Sequence, residues 1–254
     1  MSPDSQEWYA EWFDETYLKV YAHRNVALAK PEVEFIVDQF RLEPGHRILD
    51  LGCGTGRHLW HLERLGFDRA VGIDLSEVLL RVASHELMDS TRLVRGDMRR
   101  LPFGTHFDAV LSLFTSFGYF EADSENLEVL REIQRLLVRN GKFILDLVSY
   151  GVADRLVAES NRSVEGLEVS ESRRYDRKTR RIEKEITIRG DEGSKRFHES
   201  IRVYSYAEMK QMLAEAGLCL TGVFGDFRGT PFDPRCERMI AVGIRLEAPL
   251  LYSH

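Results

Sequence analysis

The sequence has few cysteines and no long hydrophobic run. Its three cysteines, Cys53, Cys219 and Cys236, lie far apart among 254 residues, and their spacing fits neither a disulfide framework nor a zinc site. We therefore expect no metal centre and a reducing, cytoplasmic location. No apolar run reaches the roughly 18 residues that a membrane-spanning helix needs, and the acidic, aromatic N-terminus lacks the basic and apolar segments of a signal peptide. This pattern predicts no membrane association.

The sequence also lacks an excess of positive charge. Its net charge is −6, which disfavours nucleic acid as a general partner. Residues 173–181 include six basic side chains, but acidic residues interrupt the run on both sides. We interpret this run as the solvated tip of a hairpin rather than as an RNA contact.

Apolar runs alternate with helical patterns through the middle of the chain. The apolar runs indicate buried strands, and the amphipathic segments between them indicate helices. This alternation predicts an α/β fold with a parallel sheet covered by helices on both faces. Strands are expected over residues 48–51, 70–73, 92–94, 107–114 and 143–148, and helices over residues 57–65, 76–87 and 124–138.

The pattern changes after Tyr150. Residues 164–204 alternate polar with apolar positions, which predicts three antiparallel strands with turns near residues 176–179 and 190–194. A helix over residues 205–216 and two strands over residues 218–224 and 239–246 follow. We therefore expect a main domain of residues 42–150 and 205–254, interrupted by inserted antiparallel strands over residues 151–204.

The N-terminal segment is unusually aromatic. Tyr9, Phe13, Tyr17 and Tyr21 recur every four residues, which predicts a helix over residues 5–24 with one aromatic face. A second helix is expected from Pro31 in its first turn to about residue 40. We interpret residues 1–41 as a helical lid or cap. The aromatic face is equally consistent with a role in the core, and the two roles are compatible.

Three glycines cluster in the segment RILDLGCGTGRHL, residues 47–59. They follow a predicted strand and precede a predicted helix, which is the arrangement of a nucleotide site whose ligand approaches the backbone closely. The spacing is not the dinucleotide pattern, and the Lys-Ser/Thr pair of a phosphate-binding loop is absent.

Acidic residues end three successive predicted strands. Asp50 precedes the glycine loop, where a carboxylate would repel a pyrophosphate but receive an ammonium group. Asp74 follows Gly52 by 22 residues, the position from which a carboxylate binds ribose hydroxyls. Asp74 would instead cap the next helix in a purely structural interpretation, although Ser76 is better placed for that. Asp97 is placed to accept from an adenine amino group, or to form an ordinary Gly-Asp turn.

Five segments together resemble the class I S-adenosylmethionine-dependent methyltransferases: ILDLGCGTG, GIDLS, GDMRRLPF, FDAVLSLFTSFGYF and LLVRNGKFILDL. The resemblance implies a Rossmann-like, seven-stranded, mostly parallel sheet whose last strand is antiparallel. It implies S-adenosylmethionine as cofactor and S-adenosylhomocysteine as product. The cofactor contacts that it implies are Asp50, Gly52, Cys53, Gly54, Gly56, Asp74, Leu75, Asp97, Met98 and Leu113.

The segment LFTSFGYF is similar to that of small-molecule N-methyltransferases, and the DPPY loop of DNA amino-methyltransferases is absent. The resemblance implies a small-molecule acceptor, with an amine favoured because no residue stands out as the general base that an alcohol needs. RNA or protein methylation, and a non-catalytic cofactor-binding module, stay as alternatives, and a homodimer is possible. The expected acceptor contacts are Tyr17, Tyr21, Ser116, Tyr119, Asp226 and Arg238, the last two with a plain hairpin salt bridge as the alternative.

Overall fold

A computed structural model describes residues 8–21, 26–88, 91–104, 106–155, 158–191 and 193–246. The helix predicted from residue 5 and the domain predicted to run to residue 254 extend beyond these ranges at their ends. In the part of the chain that is described, no helix is long and apolar enough to cross a membrane.

A seven-stranded sheet forms the centre of the molecule. Five strands pair in parallel, and a C-terminal strand lies antiparallel between its two neighbours, which confirms the predicted sheet. The strands, in spatial order, are β10 (Leu218–Phe224), β11 (Arg238–Arg245), β5 (Leu137–Val148), β4 (Phe107–Ser112), β1 (Ile48–Leu51), β2 (Ala70–Asp74) and β3 (Arg92–Arg95).

Helices cover both faces of this sheet. Neighbouring residues of β1 belong to different apolar clusters, Ile48 to one and Leu49 to the other, because side chains alternate along a strand. The cluster around Ile48 includes α3 (Val26–Phe40), α4 (Arg57–Arg64) and α5 (Glu77–Glu86). The cluster around Leu49 includes α1 (Trp8–Trp12), α2 (Glu15–Val20), α6 (Asp123–Leu136) and α7 (Tyr206–Glu215).

The N-terminal aromatic segment forms two short helices instead of one. Asp14 interrupts the pattern because its carboxylate accepts hydrogen bonds from the amides of Thr16 and Tyr17, at 2.7 and 3.1 Å, and so caps α2. Further along the chain, α3 begins before Pro31 rather than at it. A proline near the start of a helix removes only one backbone hydrogen bond, which a helix of 15 residues tolerates.

The junction of α6 and β5 also differs from the sequence pattern. The helix ends at Leu136 and the strand begins at the next residue. The register between β4 and β5 shifts after the Phe107–Leu137 pair, and Asn140 has a left-handed φ of 57°. The segment predicted to end a helix is therefore an irregular start of a strand.

The inserted unit is an antiparallel meander of four strands, one more than the alternation predicts. It contains β6 (Ala158–Val164), β7 (Leu167–Asp176), β8 (Arg181–Gly190) and β9 (Gly193–Arg202) in sequential order. Its inner face contributes Val169, Ile186 and Ile188 to the apolar cluster that contains α1 and the central sheet. The meander thus packs against both the central sheet and the aromatic helices.

Candidate active site

A cavity of 680 Å³ lies at the carboxyl ends of the central strands. Three parts of the chain form its walls: the glycine loop with the neighbouring strand ends, the aromatic helices α1 and α2, and the inner face of the inserted sheet. Most of the residues predicted from the sequence lie in these walls: Gly52, Cys53, Gly54, Asp74, Leu75, Asp97, Met98, Leu113, Tyr17, Tyr21, Ser116, Tyr119 and Arg238.

Three of the predicted residues do not line the cavity: Asp50, Gly56 and Asp226. Asp226 lies in the loop between β10 and β11, where its carboxylate accepts from the amides of Arg228 and Thr230 at 2.8 and 3.2 Å. Its role in the structure is therefore to shape that loop. Gly56 precedes α4, and a Cβ there would lie 2.8 Å from a methyl of Leu87, so this glycine allows α4 and α5 to approach each other.

The glycine loop turns by left-handed backbone conformations. Gly52 and Gly54 have φ values of 75° and 54°, which favour glycine. A Cβ on Gly52 would lie 2.9 Å from Ser116 Oγ, so only glycine lets the loop approach the segment after β4 this closely. The first helical amides of α4 follow Gly56, a residue with no side chain to cap them.

Asp74 lies at the end of β2 and faces the glycine loop. Its Oδ2 accepts from Gly54 N at 2.8 Å, and its Oδ1 accepts from Ser76 N at 2.9 Å. Desolvation raises the pKa of Asp74 above its ordinary value. Ser76 caps α5 through its hydroxyl, which accepts from Leu79 N at 3.2 Å. Asp74 thus lies in the cavity wall beside the glycine loop, where the sequence predicts a contact to ribose hydroxyls.

Asp97 lines the cavity but is already paired. Its carboxylate accepts from the guanidinium of Arg99, with Nη2 at 2.6 Å and Nε at 3.0 Å. Desolvation opposes ionisation, but the hydrogen bonds from Arg99 hold the pKa of Asp97 below its ordinary value. The carboxylate is therefore ionised at neutral pH, and an adenine amino group would share it with Arg99.

Asp50 is buried behind the glycine loop and is 1% exposed. Among the described residues its Oδ2 has no hydrogen-bond partner, and the nearest basic atom, His58 Nδ1, is 3.9 Å away. Desolvation raises the pKa of Asp50. An orphaned, buried carboxylate oxygen is costly, and a water that bridges it to an ammonium group of a ligand would satisfy it. This acceptor behind the glycine loop thus fits the amino acid part of S-adenosylmethionine.

The segment after β4 is held in a strained conformation. Phe114 and Thr115 have φ values of 56° and 62°, which residues other than glycine rarely adopt. Asp146 supports this turn, since its carboxylate accepts from Phe114 N at 2.7 Å and its backbone carbonyl accepts from Thr115 N at 3.0 Å. Arg238 pairs with the same carboxylate, with Nε 2.7 Å from Oδ1. Arg238 therefore lines the cavity while it fixes the turn.

Arg181, from the basic run, is buried rather than solvated. Its guanidinium donates to the carbonyl oxygens of Tyr119 and Phe120, both at 3.0 Å. It also donates to Ser200 on β9, through Nε to Oγ at 2.6 Å. This side chain joins the segment after β4 to the inserted sheet, a role that the charge pattern alone does not indicate.

The inserted sheet also contributes charged side chains to the cavity wall that sequence reasoning misses: Arg173, Lys184 and Glu199. They lie in strands whose alternating polar and apolar residues are typical of a meander with one face in solvent. The only signal for them would be the pairing register of three strands, which the sequence does not reveal.

Comparisons with known proteins agree with this geometry. Residues 48–141 match the family model of a methyltransferase domain. The chain is 29% identical to the cypemycin N-terminal methyltransferase of Streptomyces sp. over 237 residues, which cover 91% of this chain and 96% of that protein.

Two solved structures extend the comparison. The sugar N-methyltransferase KedS8 of Streptoalloteichus sp. ATCC 53650 aligns with a TM-score of 0.70 and 28% identity, covering 92% of this chain and 94% of that one. CalS10, an amino pentose methyltransferase of Micromonospora echinaspora solved with S-adenosylmethionine bound, aligns with a TM-score of 0.65 and 27% identity, covering 85% of this chain and 91% of that one. With the cavity and its acidic residues, these matches identify the chain as an S-adenosylmethionine-dependent methyltransferase, similar to the class I enzymes of the small-molecule N-methyltransferase branch.

Proposed function

We propose that the protein transfers a methyl group to the amine nitrogen of a small-molecule acceptor. The observation that carries this proposal is one cavity with three walls. The glycine loop and Asp74, which suit a nucleoside, lie in one wall, and aromatic and charged side chains lie in the other two. A volume of 680 Å³ is in the range of small-ligand pockets. KedS8, a sugar N-methyltransferase, and CalS10, an amino pentose methyltransferase, support this acceptor class by name.

When bound, S-adenosylmethionine supplies a methyl group already activated by a sulfonium centre. The chain then has to orient the acceptor in line with that methyl and exclude water. Aromatic side chains suit both tasks: the Trp8 and Tyr119 rings lie 4.8 Å apart at the cavity, and the Phe13 and Tyr17 rings lie 5.0 Å apart. Such faces also stabilise a nearby cation, and both the sulfonium and a methylated ammonium product are cations.

Among the described residues, the cavity wall near the segment after β4 contains no arrangement that would activate an alcohol. His58, a histidine of the wall, has its Nε2 2.7 Å from Glu32 on α3 and is held within the protein. Ser116 Oγ donates to the Leu113 carbonyl at 2.9 Å. An amine becomes a nucleophile by losing its proton to water near neutral pH, whereas an alcohol needs a positioned base. This difference favours the amine.

Methyl-labelled S-adenosylmethionine tests the proposal in an extract of the source cells. After incubation with the protein, label is counted in three separated pools: small metabolites, RNA and protein. We expect label in the small-metabolite pool, and mass spectrometry of that fraction would identify the acceptor. Label confined to RNA or protein would contradict the proposal, and tight cofactor binding without label in any pool would leave a non-catalytic binding module.

A further inference from the structure

Three charged side chains form a row across the inner face of the inserted sheet. The strand register places Arg173 opposite Lys184, and Lys184 opposite Glu199. We call these three residues the charged row. All of them line the cavity, and the neighbouring positions on the same face, such as Ile182 and Ile186, are apolar. A charged row in an apolar face is costly unless it has a partner or a ligand.

The charged row belongs to a cluster that has more cations than anions. Glu171, next to Arg173 on the same face of β7, is buried and accepts from Arg162 at 2.9 Å. Lys184 Nζ lies 3.2 Å from Glu171, and an Arg173 nitrogen lies 3.6 Å from it. Desolvation opposes the charge of Glu171, but the hydrogen bond from Arg162 and the nearby Lys184 lower its pKa to about 2. One buried carboxylate thus faces three cations.

Within the part of the chain that the structure describes, groups from other elements do not remove this excess of positive charge. Tyr21 of the aromatic segment donates to Glu171 at 2.9 Å and contacts Lys184, but a neutral phenol adds no charge. Glu199 lies 3.9 Å from Lys184, and its other oxygen accepts from Trp12 Nε1 at 2.5 Å. With Arg162, Arg173 and Lys184 against Glu171 and Glu199, the cluster keeps one uncompensated positive charge beside the cavity.

We propose that the two cations of the charged row, Arg173 and Lys184, form an acceptor subsite that binds an anionic oxygen group, a carboxylate or a phosphate, of the molecule whose amine is methylated. This inference rests on the proposed function, which gives the acceptor an amine, and adds an anionic group to the same molecule. An anion at Arg173 and Lys184 would neutralise the cluster and form charge-assisted hydrogen bonds. The row lies in a different wall from the glycine loop and Asp74, so the acceptor would be bound by its anionic end there and present its amine towards the cofactor.

The test measures anion binding to the protein saturated with S-adenosylhomocysteine. Thermal unfolding is followed in sodium acetate and in sodium phosphate, each against sodium chloride of equal ionic strength. The variant is Arg173→Gln, since Arg173 has 39% of its side chain exposed and its replacement leaves the apolar face intact. The matched control is Arg174→Gln, the next residue of the same strand, which is exposed on the opposite face. Lys184→Gln is a second variant, because its side chain lies in the same row.

We expect acetate, phosphate or both to raise the Tm of the wild-type complex beyond the effect of chloride. Arg173→Gln and Lys184→Gln should need about tenfold more anion for the same rise, while Arg174→Gln behaves as the wild type. A response to acetate alone indicates a carboxylate acceptor, and a response to phosphate alone a phosphorylated one. General salt stabilisation affects all the variants equally and is removed by the comparison.

Three results would overturn the subsite. The first is no response beyond chloride in the wild type, and the second is the same response in Arg173→Gln as in Arg174→Gln. The third is weaker binding of S-adenosylhomocysteine by Arg173→Gln, because the row would then belong to the cofactor carboxylate. Failure of the wild type to methylate any small molecule would instead contradict the proposed function, and the two failures are separate observations.

Discussion

At the residue scale, Asp74 connects the glycine loop to the cavity. Its carboxylate accepts one backbone amide on each oxygen and still faces the cavity. We expect Asp74→Ala to weaken binding of S-adenosylhomocysteine by about 2–3 kcal/mol, because a charge-assisted pair of hydrogen bonds to the ribose is lost. Isothermal calorimetry measures this loss. Asp68→Ala, an exposed acidic residue before β2, is the control, and an affinity of Asp74→Ala equal to that of the control would exclude the ribose role.

Comparing Gly52 with Gly45 separates the effect of a side chain that clashes with Ser116 from the effect of backbone strain. Gly52 and Gly45 both have positive φ values, 75° and 105°. A Cβ at Gly45 meets nothing within 4 Å, whereas one at Gly52 meets Ser116 Oγ at 2.9 Å. We expect both alanine variants to lose stability through strain, but only Gly52→Ala to lose cofactor affinity in calorimetry. Equal affinities of the two variants would show that the approach of the loop to Ser116 does not matter for binding.

Some residues of the site are indicated by a pattern close to them in the sequence, and others depend on contacts between distant segments. The location of Gly52 and Asp74 at the cavity was predictable, because Gly52 directly follows the apolar strand β1 and Asp74 ends the apolar strand β2. Arg173, Lys184 and Glu199 were not, since their common location depends on the register of three paired strands. Arg181 shows the same limit: its charge pattern indicates solvent, while its burial depends on carbonyl oxygens of residues 118–120, about 60 positions away in the sequence.

At the element scale, the aromatic helices are both a wall of the cavity and part of the core. Trp12 is fully buried, and its ring lies 4.3 Å from that of Phe197 on β9. We expect Trp12→Ala to lower the free energy of unfolding by about 3–5 kcal/mol, as large-to-small changes in a core do. Urea denaturation measures this change, with the exposed Glu11→Ala of the same helix as the control. A loss no larger than that of Glu11→Ala would mean that the segment is a lid without a share in the core.

The outer face of the inserted sheet contains a pH-sensitive pair. His198 Nε2 lies 2.7 Å from Glu183, and this hydrogen bond raises the pKa of His198 above its ordinary value of 6.5. The stabilisation is therefore fully present below the unfolded pKa of 6.5 and is lost as the pH rises through the higher folded pKa.

We expect the Tm of the wild type to exceed that of His198→Gln by more at about pH 5.5 than at about pH 8.5. The measurement is thermal unfolding of both proteins at the two pH values. A difference in Tm that does not change with pH would contradict the role of the protonated histidine.

The elements that the sequence predicted well are those whose burial imposes a local pattern. The strands β1, β2 and β4 are recognisable because apolar runs fill both faces of a central sheet. In contrast, β6 has the sequence AESNRSV, whose polar residues indicate no strand. It forms because β7 offers an unpaired edge. The start of β5 was also misplaced, because an Asn-Gly pair that ends helices elsewhere forms a register shift here.

At the scale of the whole molecule, one insertion and one N-terminal segment add two walls to the cavity at the carboxyl ends of the central strands. The glycine loop and Asp74 belong to the central sheet, and the aromatic wall and the charged row come from the other two parts of the chain. Sequence reasoning predicted the sheet and its cofactor because both follow the order of the strands. It did not predict how the meander faces the cavity, because that arrangement depends on packing between distant segments.

The enclosure also bears on the alternatives. A large polymer would have to place a nucleotide or a side chain in a cavity that the aromatic helices and the inserted sheet narrow. The net charge of −6 gives no general attraction to RNA. Both properties agree with a small acceptor that the cavity surrounds.

The most direct test of the account is the atom that receives the methyl group. The protein is incubated with S-adenosylmethionine that has an isotope-labelled methyl carbon and with a low-molecular-weight extract of the source cells. Carbon–proton correlation NMR then distinguishes methyl groups on nitrogen, oxygen and carbon by their chemical shifts. The account predicts a labelled N-methyl signal in the low-molecular-weight fraction. A labelled signal on oxygen or carbon, or label found only in macromolecules, would contradict it.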